Sequence, residues 1–265
     1  ATSEIAVRVP KSWYALSNGS LMADTTEGQT RRMHWRFNVP HSCYLMTIAA
    51  GEFTVHRECW EGIDITYLSE PGRANDCLRT LAKTPEMISA FSERFGVRYP
   101  YQQYAQVFVA DFIFGGMENT TATSLTDSVL VDERASLDFD MESLVCHELA
   151  HQWFGDLLTC RDWGEGWLNE GFATYSEYLW REHSEGRDAA SLVLAEFSDA
   201  YFAEDSSRYR RSIVTKRYDD PLDIFDRHLY DKAGRIVHMI RRILGDADFF
   251  ASVQHYLERH RGDVV

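Results

Sequence analysis

Cysteine and proline are scarce, with five and six residues among 265, and glycine accounts for only 16. The cysteines (Cys43, Cys59, Cys77, Cys146 and Cys160) fall at irregular spacing. In a chain this long that makes no disulfide framework and favours free thiols in a reducing compartment. So little proline and glycine excludes collagen-like and low-complexity chains. Long apolar runs are missing too: stretches such as Phe112–Phe114 and Ile48–Ala50 are far too short to span a bilayer, so no membrane segment is expected. Positive charge is in deficit, with 27 Lys and Arg against 41 Asp and Glu and a formal net charge of −14. Such a surplus repels nucleic acid and anionic lipid, and neither is expected as a partner. A charged leader followed by an apolar stretch is also lacking at Ala1, which argues against a signal peptide and for a cytoplasmic protein.

What is present suffices for a packed core, with 45% hydrophobic residues, too many for disorder. The first 68 residues alternate with period two. Ile5, Val7 and Val9 oppose Glu4, Ala6 and Arg8; Met33, Trp35, Phe37 and Val39 oppose Arg32, His34, Arg36 and Asn38; Ile63, Ile65 and Tyr67 close the series. Ser17-Asn18-Gly19 is a turn signal. The pattern predicts antiparallel strands with one wet face. After Ser69-Glu70-Pro71-Gly72 the period becomes helical, and Pro85 inside the 73–95 stretch predicts a kink or two helices. Gln106–Ala110 reads as a strand. From Asp140 onward helices are expected at about 140–158, 170–184, 189–203, 231–245 and 247–260. The fold class is α+β, with a change of architecture near residue 68.

Chemistry begins at His147-Glu148-Leu149-Ala150-His151. On a helix, residues four apart project about 40° from each other, so both imidazoles can face one metal ion while Glu148 stays beside it. Asp140 can cap this helix. The motif alone also fits a solvated helix carrying two histidines. A third carboxylate shifts the balance: Glu170, in Trp167-Leu168-Asn169-Glu170-Gly171, follows His151 after 18 intervening residues. Two antiparallel helices joined by the 158–164 loop can bring it to the histidines. A His₂Glu set leaves one position for water, as catalytic zinc sites do. By this chemistry His147, His151 and Glu170 bind one zinc ion and Glu148 is the general base.

With Gly115-Gly116-Met117-Glu118-Asn119 upstream, these motifs make the chain resemble the aminopeptidase N-like gluzincins, over essentially its whole length. The flanking Leu149–Asp156 and Trp167–Ala173 segments extend the likeness. The resemblance implies a thermolysin-like, mainly helical catalytic domain at 69–265, preceded at 1–68 by the later strands of a β domain. It implies a zinc aminopeptidase acting on peptides with a free N-terminus. Glu118 would anchor the α-ammonium, while Gly115, Gly116 and Met117 would offer backbone groups to the extended peptide, with Asn119 completing the segment. Alone, that segment also fits a Gly-rich turn with a solvated Glu. The family's Tyr-x-Lys-Gly-Ala segment points to Tyr230 as oxyanion donor, although Tyr230-Asp231-Lys232-Ala233-Gly234 exchanges the two small residues. An epoxide hydrolase of the leukotriene hydrolase type, or an inactive peptide-binding module, is the alternative. Full family members are several times longer, so flanking domains of a larger parent, with a second amine anchor, are expected outside this chain.

Other residues have plainer expectations. Cys146 lies about 100° around the helix from His147 and reads as a small buried residue. Tyr175 and Tyr178 read as core. Asp156 and Thr174 are candidates to orient the ligands. His183, His238, His255 and His260 read as surface or packing residues, and Arg208–Arg211 as a solvated face.

Overall fold

A computed structural model describes residues 1–265. The alternating N-terminal segments form strands β1 (Ser3–Pro10), β2 (Tyr14–Ser17), β3 (Ser20–Glu27), β4 (Thr30–Phe37), β5 (Ile48–Gly51), β6 (Thr54–Trp60) and β7 (Ile63–Ser69). Three strands pair antiparallel in the order β1-β4-β3, and β2 pairs β5. The alternation has the expected outcome: Met33, Trp35 and Phe37 are buried, and Glu4, Ala6 and Arg8 are exposed. Val39 is an exception. The strand ends at Phe37, ahead of Pro40, and Val39 is exposed.

Helices α1 (Ala74–Thr80) and α2 (Thr84–Arg94) divide the 73–95 stretch, with Pro85 in the first turn of α2, where its missing N–H costs nothing. Strands β8 (Gln103–Val109), β9 (Gly116–Met117) and β10 (Ala122–Thr126) join β6 and β7 in a mixed five-stranded sheet, order β6-β7-β8-β10-β9. Its central pairs β7–β8 and β8–β10 are parallel, and the two-residue strand β9 is its edge.

The remaining helices are α3 (Glu142–Ala150), α4 (Trp167–Ser184), α5 (Arg187–Ser207), α6 (Ala233–Leu244) and α7 (Asp246–Arg259). By contacts the chain forms two compact units, one of residues 1–85 with 100–148, the other of 86–99 with 149–265. Tyr14, Leu16, Met33, Trp35, Leu68 and Val107 pack the centre of the first. In the second, Trp153 makes edge contacts with Phe91 and Phe95, and Phe154 stacks on Phe172 at 4.5 Å. Tyr175 and Tyr178 are buried there and stack on each other, as their expected packing role requires. The architecture is mixed α+β, with β-sheets first and a mainly helical part after them.

The expected helix over 140–158 is cut short at Ala150. Past it, Gln152 and Trp153 donate to carbonyls three residues back, and Gly155 takes φ +134, which no helix accommodates. The connection to α4 therefore runs over 151–166, longer than the expected 158–164 loop. Residues 262–265 pair with it: Thr159 N donates to Asp263 O, and Val265 N to Thr159 O.

Candidate metal and peptide site

The start of α3 is capped as expected, with Glu142 N donating to Asp140 Oδ1 at 3.0 Å. Cys146 is fully buried, and its thiol donates to Ser143 O, which agrees with a packing residue. His147 and Glu148 occupy the last full turn of the helix and His151 follows it directly, so the four-residue spacing still presents both imidazoles on one side. All three are buried.

The turn after the helix sets the chemistry of His151. Its Nδ1 lies 2.8 Å from Phe154 O, a carbonyl that can only accept, so Nδ1 carries the proton. The lone pair of Nε2 is thereby aimed at Glu170 Oε2, 3.2 Å away. A lone pair facing a buried carboxylate oxygen is repulsive unless a cation lies between them. The ligating atoms of His147, His151 and Glu170 all lie within 4.8 Å of one another, a donor set suited to zinc. Gly155 makes this turn possible: besides its positive φ, a Cβ there would stand 3.2 Å from His151 Nδ1. Asn169, beside Glu170, accepts from Cys160 N at 3.1 Å and ties the connection to α4.

The Gly115–Asn119 segment is held by β9 and by a turn far upstream. Gly19, at φ +80, sits where a Cβ would be 2.2 Å from Arg36 O, so only glycine fits. Through that turn Asn18 Nδ2 donates to Thr120 O at 2.7 Å and Gly19 N to Thr121 Oγ1 at 2.8 Å. Asn119 accepts from Ser124 Oγ, which closes the bend after Glu118. Gly116 faces Glu148: a Cβ would stand 2.3 Å from Glu148 Oε1. The carboxylates of Glu118 and Glu148, both buried, lie within 4.8 Å of each other. Tyr44 OH approaches Glu118 Oε1 at 3.4 Å.

Tyr230 lies in a π-helical turn, His228–Lys232, where Lys232 N donates to Arg227 O five residues back. Such turns concentrate at functional sites. The turn buries His228, Leu229 and Asp231 and leaves Tyr230 half-buried. Burial raises the pKa of Asp231, and Arg227 opposes the shift. The segment packs on α4 to either side of Glu170: a Cβ at Gly166 would meet Leu229 Cδ1 at 3.4 Å, and one at Gly171 would meet the Ala233 methyl at 2.8 Å. The exchanged small residues have a physical partner here. A Cβ at Gly234 would lie 3.0 Å from Thr174 Cγ2, so Thr174 occupies the space that an alanine at 234 would need.

Several contributors had weak signals or none in the sequence. Phe154 acts through its carbonyl, Gly19 acts from a hundred residues away, and Gly171 was visible only as a motif letter. Arg208–Arg211 is not uniformly solvated. Arg208 and Arg210 are exposed, but Arg211 is largely buried and clamps Asp226 through Nε at 2.8 Å and Nη2 at 2.5 Å. That arginine completes a folded loop rather than facing water. His238 is half-buried, with its Nδ1 3.2 Å from Tyr175 OH, as expected of a packing residue.

Residues 79–265 match the Peptidase family M1 domain. The chain is 30% identical over 269 residues to the probable aminopeptidase 2 of Sulfurisphaera tokodaii, covering 98% of this chain and 34% of that protein. It is 29% identical to aminopeptidase M1 of Arabidopsis thaliana, covering 98% of this chain and 30% of the relative. Among solved structures it resembles the M1 zinc metallopeptidase of Deinococcus radiodurans, in a glutamate-to-alanine mutant bound to a Tyr-Ser-Ala substrate. The TM-score is 0.81 at 26% identity, over 100% of this chain and 57% of that one. The chain belongs to peptidase family M1. It spans about a third of the length of the curated relatives it matches.

Proposed function

We propose that the chain carries the catalytic centre of a zinc aminopeptidase, with one zinc ion held at this centre by His147, His151 and Glu170. The observation that carries the reading is the His151 geometry: Nδ1 is committed to Phe154 O, and Nε2 points at Glu170 Oε2. When bound, zinc supplies a Lewis acid for the scissile carbonyl and lowers the pKa of water towards ~7.

The chain's own residues supply the rest. Glu148 accepts the proton of the attacking water and delivers it to the leaving amine nitrogen. The Tyr230 hydroxyl donates a hydrogen bond to the oxygen that gains charge as the carbonyl carbon becomes tetrahedral. Glu118 pairs with the substrate's α-ammonium. A cation beside it also relieves the repulsion between two buried carboxylates, which favours a charged amine over an acylated one. The substrate backbone adds along β9, the edge of the five-stranded sheet, where Gly115 and Gly116 allow close approach and Met117 flanks the chain. The Deinococcus relative bound to a Tyr-Ser-Ala substrate supports a short peptide as the substrate class.

The test is Glu148→Gln, assayed for zinc content and for release of the N-terminal residue from a tripeptide. Zinc retained with turnover down by about 10²–10⁴-fold is expected. Unchanged turnover in Glu148→Gln, or equal cleavage of free and N-acetylated peptides, overturns the assignment.

A further inference from the structure

A second cluster of metal-ligating groups lies outside this centre, around His228. The imidazole is fully buried in the π turn, with Tyr209 stacked on one face at 5.5 Å and Tyr201 edge-on at 5.4 Å. Its Nε2 faces Asp205 Oδ1 at 3.3 Å. A carboxylate only accepts, so the ring proton belongs on Nε2. Its Nδ1 is buried and makes no hydrogen bond. That nitrogen points instead at two carboxylates, Asp226 Oδ2 at 3.3 Å and Glu204 Oε2 at 3.6 Å.

These spacings accommodate a metal ion. Two ligands on a tetrahedral metal with bonds of about 2.0–2.2 Å stand about 3.3–3.6 Å apart. The three ligand atoms lie within 4.8 Å of one another. His151 and Glu170 show the same signature at 3.2 Å, with the far ring nitrogen fixed by an acceptor.

The neighbouring donors hold the same carboxylates. Arg208 takes Glu204 Oε1 and Arg210 takes Asp205 Oδ2, both from exposed positions. Arg211 Nε and the Tyr209 hydroxyl both donate to Asp226 Oδ2, Arg211 Nη2 donates to Asp226 Oδ1, and Arg227 N donates to Glu204 Oε2. Such outer bonds orient ligating carboxylates. An ion also has a way in, because Glu204 and Asp226 line an open cavity of about 1190 Å³ within the second unit.

We propose that Glu204, Asp226 and His228 form a second metal site, taking a divalent transition-metal ion of the zinc type, with water from the cavity as the remaining ligand. It sits two residues before Tyr230, so an ion there would brace the π turn that presents the phenol. The proposal does not depend on the aminopeptidase reading.

Equilibrium dialysis against zinc, read by elemental analysis, tests it. The wild-type chain should hold two zinc ions, and His228→Gln and Glu204→Gln one each or a tenfold weaker second ion. His151→Gln should lose a different ion and keep this one. Variants that bind as many ions as wild type with equal affinity would overturn the proposal and assign the gap to a proton. Should His228→Gln fail to fold, nitrogen NMR of the labelled wild-type histidines decides. His228 Nδ1 must shift on zinc addition, and an unmoved resonance refutes the site.

Discussion

Replacing Gly171 by alanine tests the packing of the segment that carries Tyr230 on the helix that carries Glu170. The added Cβ would stand 2.8 Å from the Ala233 methyl and 3.4 Å from the Ala233 carbonyl carbon. Carbon atoms prefer about 3.5–4.0 Å, so the two segments must part by roughly 1 Å. A methyl carried directly on a backbone carbon has no rotamer by which to escape. Overpacking of this kind costs about 1–3 kcal/mol, and the better helix propensity of alanine at an interior position returns about 1 kcal/mol. The net loss of about 1 kcal/mol lowers Tm by roughly 2–4 °C. Turnover should suffer more than stability, since a shift of about 1 Å in a catalytic group can cost about 10²-fold. The decisive measurement is a double-mutant cycle with Ala233→Gly, followed by thermal melting and by tripeptide hydrolysis. Removing the opposing methyl should restore most of the lost turnover and show a coupling energy of about 1–3 kcal/mol. If Gly171→Ala raises Tm with turnover intact, or if the two changes simply add, the contact does not set the geometry.

Three further outcomes follow from particular residues. Gly155→Ala forces a side chain into φ +134 beside His151 Nδ1, and zinc affinity should fall by about 10–100-fold in dialysis; unaltered affinity would show that the Phe154 carbonyl does not orient the ligand. Arg241 is buried between Glu182, at 2.9 Å, and Asp246, so Arg241→Ala leaves a buried carboxylate short of its main partner and should cost about 3–5 kcal/mol by denaturant melting, where a loss under 1 kcal/mol would refute the assignment. Asp226 should contribute to acid sensitivity. Burial works to raise its pKa, but bonds from Arg211 and Tyr209 outweigh it, and the folded value lies below the ordinary one. Asp76 and Asp24 are likewise lowered, chiefly by hydrogen bonds from Arg73 and Arg31. A depressed carboxylate stabilises fully above its unfolded pKa of about 3.9 and loses that contribution as pH falls through the folded value, so Tm should hold near pH 6 and drop below about pH 4. A flat profile between pH 5 and 3 would contradict this.

The sequence makes the metal cluster readable because its spacing follows from helix geometry: His147 and His151 share one side wherever their turn is formed. The strands were equally readable where one face is wet, as in β4, since burial there imposes a period of two. What stays hidden comes from contacts between segments distant in the chain. Residues 151–158 have helical periodicity, and only the φ of Gly155 and the bond from His151 to Phe154 O end the helix at Ala150. Arg211 reads as one of a run of surface cations until Asp226, 15 residues later, folds back onto it. His228 carries no recognised spacing signal, because its partners lie 23 and 24 residues upstream and just before its own turn.

The exchange at Ala233-Gly234 shows why a motif letter is best read with its packing partner. Taken alone, Ala-Gly in place of Gly-Ala reads as an exchange of small residues on the following helix that leaves the phenol itself untouched. In the folded chain each small residue answers a specific neighbour: the Ala233 methyl meets the bare face of Gly171, and Gly234 yields to the Thr174 methyl. Restoring the family order at 234 alone should therefore bring a Cβ within 3.0 Å of Thr174 Cγ2, whereas the same change combined with Thr174→Ser leaves contacts of 3.4 Å to the Cβ of residue 174 and 3.5 Å to Phe197 Cε2. The pair, rather than the letter, holds Tyr230 in place beside the helix of Glu170. Tolerance at 234 then depends on residue 174, and the two positions must change together for the phenol to keep its distance.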